Sequence, residues 1–403
     1  MCLPSEPPAP AGRERPPELG EILRRHGAAY CASQPVSPLQ RSVLHALASC
    51  RTAARGGHLE QCARCGHRRA VYHSCRNRHC PKCQSLAQHD WLEARLADLL
   101  PVPYFHVVFT LPHELGPLVL ARPRALYHLL FQVARETLQT FARDPTHLGG
   151  EVGAIAILHT WSQTLGLHPH LHCVVTGGAL AAEGSRWIAI RHLGFLFPVR
   201  ALAKVFRGKF LEGLRALRDR EEIPDEGSLP ALLARLRHKD WVVYAKPPFA
   251  GPESVLRYLG RYTHRVAISN RRIVRAQGGT VAFRYRDRAD GGREKTMELP
   301  VFEFLRRFTL HVLPRGFVRI RYMGLLAHRT RREHIARCRA LLGAQAPKPP
   351  PADETVCEKL LRLTGRDLGL CPACGEGRMG VVAELDPTGS LGFDSPPPGI
   401  DSS

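Results

Sequence analysis

Residues 168–176 read His-Pro-His-Leu-His-Cys-Val-Val-Thr, a run in which histidines alternate with other residues and which two glycines follow. Alternate side chains of a β-strand point to the same face, so His170 and His172 project together while Leu171 and Cys173 face a core. Two imidazoles at adjacent same-face positions can bind one divalent ion and leave open positions for substrate oxygens. The run therefore predicts a metal-binding strand.

Other histidines are candidates to complete this site. His168 begins the run, His106 lies in the β-rich run Tyr104–Leu111, and His159 lies in the apolar run Gly153–Trp161. Taken alone, His106 and His159 are each more typical of structural histidines. An exposed histidine pair without metal is the alternative, but three histidines at period two beside an apolar face favour metal binding.

The chain is strongly basic, with 57 Lys+Arg against 36 Asp+Glu and a formal net charge of +21 over 403 residues. Because phosphate contacts release condensed counterions, this excess favours nucleic acid as the partner. An acidic membrane surface is the weaker alternative, since no basic amphipathic anchor stands out. No apolar run is long enough for a membrane span, and the N-terminus does not resemble a secretory signal. We therefore expect no membrane partner.

The pattern along the chain predicts an α+β protein with two or three domains. We expect a loose Pro-rich N-terminus at 1–18, a helical and zinc-binding domain at 19–100, and a main domain at 101–345. Residues 346–403 are expected to hold a Pro-rich linker, a cysteine knuckle and a disordered tail.

Most of the thirteen cysteines lie in short clusters, which is typical of metal binding in a reducing compartment. Cys62-Ala-Arg-Cys65 and Cys80-Pro-Lys-Cys83 are two knuckles whose four thiolates would close one tetrahedral zinc site. Cys75 and several nearby histidines are surplus and could replace a thiolate or hold a second ion. The segment 56–83 has few large apolar side chains, so we expect it to need metal in order to fold.

Two further features accompany the clusters. Arg76 and Arg78 lie between the cysteines and predict a DNA-contacting surface. Cys371-Pro-Ala-Cys374 is a third knuckle without an obvious partner pair. Cys338 and Cys357 are candidate partners, but their spacing is loose.

Pro252–Tyr262 reads as a helix with proline in its first turn. Tyr258 and Tyr262 share a face at i and i+4, with Arg257 and Arg261 in a neighbouring row. Such a tyrosine pair alone is usually core packing. Beside a metal-binding strand in a basic chain, it favours phenolate nucleophiles with arginine to stabilise charge.

These residues together resemble a known family. His170-Leu-His172 resembles the histidine–hydrophobe–histidine motif of HUH endonucleases, and Tyr258 and Tyr262 resemble the nucleophiles of the two-tyrosine subclass. The cysteine cluster looks like the N-terminal zinc domain of insertion sequence 91 family transposases, as do residues 104–115 and 313–317. The resemblance covers about residues 20–345.

The resemblance implies an HUH-like antiparallel sheet flanked by helices, with a small N-terminal zinc-binding domain holding Zn²⁺. It implies rolling-circle cleavage of single-stranded DNA at transposon ends and of target DNA, through a 5′-phosphotyrosine, with Mg²⁺ or Mn²⁺ at His170 and His172. It leaves the third ligand open among His264, His106 and His168, and also leaves a homodimer open. The implied location is the bacterial cytoplasm, associated with the nucleoid.

Two other functions remain as alternatives. One is a zinc-dependent nucleic-acid-binding protein without chemistry, in which the tyrosines are dispensable for covalent capture. The other is a related HUH replication or mobilisation nuclease, against which the zinc domain argues. An acidic-triad transposase is disfavoured because no Asp/Glu cluster stands out.

Overall fold

The computed structural model of the protein describes residues 15–96, 98–224, 229–246, 254, 260, 266–346 and 354–388. None of the helices described there is both long and apolar enough to cross a bilayer. The α-helices are α1 (Leu19–Ser33), α2 (Pro38–Ala48), α3 (Gln84–Leu96), α4 (Gly116–Ala121), α5 (Pro123–Arg143), α6 (Val199–Asp219), α7 (Leu229–His238), α8 (Val301–Thr309), α9 (Arg331–Leu341) and α10 (Val356–Thr364). The strands are β1 (Gly57–Cys62), β2 (Arg68–Tyr72), β3 (Tyr104–Thr110), β4 (Gly150–Glu151), β5 (Gly153–Trp161), β6 (Leu167–Thr176), β7 (Gly178–Ala181), β8 (Trp187–Ala189), β9 (Val243–Lys246), β10 (Ile273–Gln277), β11 (Thr280–Asp287), β12 (Arg293–Pro300), β13 (Ile320–Gly324) and β14 (Met379–Leu385).

The chain divides into two compact units. The first comprises Met1–Leu86, Ile268–Val312 and Pro349–Ser403, and the second comprises Ala87–Ala267 and Leu313–Lys348. This division differs from the continuous main domain at 101–345 that the sequence predicts. Within the first unit, α1 contacts α8, and the Tyr30 hydroxyl lies 3.3 Å from the Thr309 hydroxyl. Residues 268–312 therefore pack with the N-terminal helices, although residues 87–267 of the second unit separate the two segments in sequence.

The second unit is built on a five-stranded antiparallel sheet with the order β13-β5-β6-β3-β9. The histidine strand β6 lies at its centre, between β5 and β3. Its neighbour β3 runs in register from Tyr104 opposite Thr176 to Thr110 opposite His170. A strand paired on both sides has all its ladder hydrogen bonds made, so side chains on β6 stand on a rigid base.

One face of this sheet is covered by helices α5 and α6. Leu171 and Cys173 point into this core, as the sequence predicts, together with Phe109 of β3. The Phe109 ring lies 5.0 Å from that of Phe206 on α6. Burial of these apolar side chains, at about 25 cal/mol per Å² removed from water, supplies the main stabilising term of the unit.

The opposite face is apolar at one end and polar at the other. Tyr104, Ile155, Ile157 and Val174 form a smaller core with residues of α9 and with partly buried side chains of α3. Along β5 and β6 the same face continues into histidines, because every second residue returns to it. The sheet therefore carries these histidine side chains beside its apolar cores and not within them.

The first unit contains two small sheets with the orders β14-β1-β2 and β10-β11-β12. Helix α2 begins with a capping box, in which the Ser37 hydroxyl accepts from the Gln40 amide. Helix α8 packs on β11, with the Phe283 and Phe304 rings 5.9 Å apart. This unit has fewer large side chains around its cysteines than the second unit has around its sheet.

The strongest sequence predictions match the observed elements. The predicted strand Gly153–Trp161 and the predicted helix 123–143 have the observed bounds of β5 and α5. The predicted tyrosine helix at 252–262 lies outside the described residues except for positions 254 and 260. Mixed helices and antiparallel sheets with an N-terminal zinc-binding segment agree with the predicted fold class at that level.

Candidate metal centres

Strands β5 and β6 bring three histidines together on one face of the sheet. His159 pairs with His170 in the β5–β6 register, and His172 lies two residues further along β6. One nitrogen from each imidazole lies within 4.8 Å of the others, and the Nε2 atoms of His170 and His172 are 3.1 Å apart. Three nitrogens this close to one another can share a single metal ion.

The tautomer of His170, and so the nitrogen that it can offer to a metal, is set by a backbone contact. Its Nδ1 lies 2.6 Å from the His168 carbonyl oxygen, which can only accept a hydrogen bond. The proton of neutral His170 is therefore on Nδ1, and Nε2 keeps the lone pair that a metal requires. A backbone carbonyl in this position is a common partner of a metal-binding histidine.

His172 is oriented by a fourth histidine, His106 of β3. The His106 Nε2 lies 2.7 Å from Nδ1 of His172, and the two rings are stacked with an interplanar angle of 9°. Burial, together with the nearby charge of Lys246, lowers the pKa of His106 to about 4. His106 is therefore neutral near pH 7. It can accept from His172 Nδ1, which leaves Nε2 of His172 for a metal.

These positions answer several sequence predictions. His170 and His172 lie together as predicted, and His159 occupies the third place in the group. His264, one of the three candidates for the third ligand, lies outside the described residues. His106 and His168 contact the clustered histidines instead. A ring nitrogen of His106 lies against His172, and the carbonyl oxygen of His168 lies against His170. The sequence alone does not place His159 beside His170, because a single histidine in an apolar strand shows nothing of the strand that pairs with it.

The donor set fits a divalent transition ion. All three donors are imidazoles, and no carboxylate belongs to this group in the part of the chain that the structure describes. Imidazole suits first-row transition ions better than it suits Mg²⁺, which prefers oxygen ligands, and Mn²⁺ is the most weakly bound ion of that row. Three protein ligands also leave coordination positions for substrate, as catalytic metal sites require.

In the first unit, the structure gathers Cys50, Cys75, Cys80 and Cys83 into one group. The sulfur atoms of Cys50 and Cys83 are 3.3 Å apart, and those of Cys75 and Cys83 are 3.6 Å apart. A tetrahedron with Zn–S bonds of about 2.3 Å has edges of about 3.8 Å, so this spacing suits a four-thiolate zinc site.

This grouping corrects the predicted zinc site. Cys62 and Cys65 do not join Cys80 and Cys83; they lie instead with Cys371 and Cys374. The fourth cysteine of the group that contains Cys75, Cys80 and Cys83 is Cys50. It follows α2 and belongs to no Cys-x-x-Cys knuckle. Cys75, which the sequence analysis gave as a surplus cysteine that could replace a thiolate, belongs to this group.

Electrostatics explain why such a group needs a cation. Hydrogen bonding from Cys50 lowers the pKa of Cys83, whereas it raises the pKa values of Cys75 and Cys80. Neighbouring thiolates repel one another, so the protein without metal can hold only part of this charge. A divalent ion removes the conflict by neutralising the thiolates together.

The predicted DNA-binding and catalytic residues fall into two groups. Arg76 is exposed and Arg78 is partly buried, with its pKa lowered by burial. The remaining four lie outside the described residues: Arg257, Tyr258, Arg261 and Tyr262.

Two family models match stretches of the chain that carry these groups. A family model described as "Transposase zinc-binding domain" matches residues 22–111, and one described as "Putative transposase" matches residues 153–334. The second match contains all three clustered histidines.

Two relatives extend the similarity along the chain. A Sinorhizobium fredii protein named "Putative transposase y4qJ" is 50% identical over 382 residues, covering 92% of this chain and 96% of the relative. The "Transposase for insertion sequence element IS801" of Pseudomonas savastanoi pv. phaseolicola is 28% identical over 298 residues, covering 71% of this chain and 70% of the relative. With both segments matched and one relative half identical over nearly its whole length, the chain belongs to the insertion sequence 91 family of transposases.

Proposed function

We propose that this transposase cleaves and rejoins single-stranded DNA at element ends through a covalent 5′-phosphotyrosine intermediate of the rolling-circle type. The observation that carries the proposal is the group of His159, His170 and His172, whose ligand nitrogens converge on one face of a rigid sheet. A metal centre of this kind, in a DNA-processing family, suits phosphodiester chemistry.

The proposed nucleophiles are Tyr258 and Tyr262, with Arg257 and Arg261 contacting phosphate. All four lie outside the described residues, but Gly260 between the tyrosines is described and buried. A Cβ on Gly260 would lie 3.5 Å from Cδ1 of Leu92 on α3. Leu92 packs against the smaller core, on the sheet face that also carries the histidines. Gly260, which lies between the two tyrosines in sequence, is therefore near the apolar end of that face.

In the proposed reaction the only protein group that forms a covalent bond is a tyrosine side chain. A tyrosine hydroxyl loses its proton, and its oxygen attacks the scissile phosphorus. The O–P bond forms as the bond from phosphorus to the 3′ oxygen breaks, and that oxygen takes up a proton to give a free 3′-OH. The second tyrosine provides a second nucleophile for rejoining the transferred strand.

A divalent ion held by the three histidines would polarise the scissile phosphate and stabilise its developing charge. From the donor set we propose Mn²⁺ as the more effective ion and Mg²⁺ as the weaker one. His168 and His106 hold the ligand nitrogens in place and thereby reduce the reorganisation needed on binding.

The partner is proposed to be single-stranded DNA from element ends and from the target. The formal net charge of +21 favours a polyanion. A five-stranded antiparallel sheet with the histidine strand at its centre is also what an HUH-type catalytic domain would require, and we propose that fold for the second unit.

The test uses labelled single-stranded oligonucleotides from DNA flanking the gene, incubated with the purified protein and Mn²⁺. On a denaturing gel we expect a covalent protein–DNA band that is lost with EDTA and in the double variant Tyr258→Phe/Tyr262→Phe. Tyr285→Phe, which removes a hydroxyl from β11, is the matched control and should keep the band. A native-gel binding shift without a covalent band on any oligonucleotide would contradict the proposal and favour a binding protein.

A further inference from the structure

The third knuckle, Cys371-Pro-Ala-Cys374, has no role in the proposed strand cleavage. It lies beyond the residues that either family model matches, which end at 111 and 334. In the structure it meets the knuckle Cys62-Ala-Arg-Cys65 from the other end of the chain. We propose that these four cysteines bind a second structural zinc ion, which fastens the C-terminal segment to the N-terminal zinc-binding unit.

The geometry of the four sulfur atoms suits zinc. The Cys62 and Cys374 sulfurs are 3.8 Å apart, and those of Cys65 and Cys371 are 3.6 Å apart. These distances match the edge of about 3.8 Å expected for a tetrahedron of thiolates around Zn²⁺. The cysteines at 62, 65, 371 and 374 all belong to the first unit, so the site is internal to one compact body.

Backbone amides already point at the sulfurs of the C-terminal knuckle. The Ala373 amide donates to Cys371 Sγ at 3.4 Å, and the Gly377 amide donates to Cys374 Sγ at 3.3 Å. Hydrogen bonds to a sulfur stabilise its thiolate form, which is the form that binds metal. The knuckle is therefore arranged for charged sulfur atoms.

Gly377 fits the site in a second way. A Cβ at this position would collide with the Cys62 sulfur and would lie 2.8 Å from Cβ of Arg64. Only glycine lets the two knuckles approach closely here. By contrast, a Cβ on Gly380, three residues further on, would meet nothing within 4 Å.

The burial pattern shows why a metal would be needed. Among residues 354–388, Cys371 and Gly377 are the only buried ones, and both belong to this site. Strand β14 pairs with β1, from Gly57 opposite Leu385 to Cys62 opposite Met379, but Val381 and Val382 on β14 are exposed. Hydrophobic burial therefore contributes little to holding this segment. A thiolate–zinc site can replace an apolar core in such a segment.

Further hydrogen bonds join the C-terminal segment to residues near the first knuckle. The Ala63 amide donates to the Arg378 carbonyl at 3.1 Å, and the Thr388 amide donates to the Ala53 carbonyl at 3.0 Å. The Arg69 guanidinium donates to the Leu368 carbonyl at 3.0 Å. These contacts join the described residues 368–388 to the N-terminal segment that carries the first knuckle.

The test counts zinc released by a thiol-specific mercurial from the full-length protein, which reports cysteine-bound metal and leaves histidine-bound metal aside. We expect two equivalents per chain from the unmodified protein and one from Cys371→Ser/Cys374→Ser. Cys357→Ser, an exposed cysteine in the same segment, should keep two. In parallel, hydrogen exchange followed by mass spectrometry should show loss of protection in β14 in the double variant, while β2 stays protected.

A glycine pair keeps the proposal testable if the double variant misfolds. Gly377→Ala should release the second zinc at least tenfold faster, and Gly380→Ala should behave like the unmodified protein. Two equivalents retained by Cys371→Ser/Cys374→Ser, or a single equivalent in the unmodified protein, would overturn the proposal. Strand cleavage is not a readout here, so the outcome is independent of the proposed chemistry.

Discussion

The two units of this transposase arrange metal-binding side chains in opposite ways. In the second unit, His159, His170 and His172 extend from a sheet whose other face is covered by an extensive apolar core. In the first unit, the cysteine groups lie where few large side chains are buried, and each group supplies four ligands. From this comparison we expect the second unit to fold without metal and to leave coordination positions open, and we expect the first unit to close around zinc and to depend on it.

The largest expected effect comes from breaking a closed cysteine group. Cys80→Ser should lose the zinc of its group and the cooperative unfolding of the first unit, as measured by zinc content and circular dichroism. Structural zinc binding is worth about 10–16 kcal/mol, which is as large as the whole stability of a typical domain, about 5–15 kcal/mol. Cys357→Ser is the control. Unchanged melting after zinc loss would remove the contrast between the two units.

Breaking the histidine group should cost activity and spare the fold. His172→Ala should reduce formation of the covalent band by about three orders of magnitude, because several kcal/mol of charge stabilisation are lost at tenfold per 1.4 kcal/mol. The second unit should still unfold cooperatively, since its core lies on the other face of the sheet. His113→Ala, which changes an exposed histidine, should leave both properties unchanged. A variant that fails to fold would show that the histidines serve the scaffold.

A smaller effect on metal binding is expected for His106, which contacts His172. His106→Phe should weaken Mn²⁺ binding about 10–100-fold by removing the acceptor of His172 Nδ1, as is usual for a partner of a metal-binding histidine. High Mn²⁺ should then restore cleavage, and His106→Gln should recover part of the affinity. Titration of activity with Mn²⁺ measures both. A lower melting temperature with unchanged Mn²⁺ dependence would instead assign His106 a purely structural role.

The smallest effect concerns the surface of the first unit. Arg76 is exposed, and Arg76→Ala should weaken single-stranded DNA binding a few-fold and reduce the slope of log K against log salt by about one. Fluorescence anisotropy at several salt concentrations measures this slope. Arg288→Ala removes the same charge from the turn after β11 and reports the effect of net charge alone. Identical behaviour of the two variants would mean that Arg76 makes no specific phosphate contact.

Local patterns predicted the local features well. The alternation in residues 168–176 indicated which side chains of β6 face the core, and the runs of β5 and α5 gave their bounds. The His170–His172 pair was visible because both ligands lie on one strand. The zinc-binding character of the first unit followed from the knuckle spacing, which forms within four residues.

What failed depends on contacts between distant segments. His159 is distinguished from the other candidate histidines only once β5 pairs with β6, and Cys50 becomes a candidate only once it lies beside the second knuckle. Cys371 lies more than 300 residues from Cys65, so no spacing rule links them. The edge strand β13 is short and pairs with β5 across more than 150 residues, and a single sequence does not display such pairing.

The most direct test of the open metal centre is Mn²⁺ binding by His159→Ala, measured by electron paramagnetic resonance on protein with its zinc intact. We expect Mn²⁺ affinity to fall at least tenfold, while zinc content and the melting temperature of the second unit stay near those of the unmodified protein. Unchanged Mn²⁺ affinity in this variant would show that His159 is not a ligand, and would contradict the three-histidine centre on which the proposed chemistry rests.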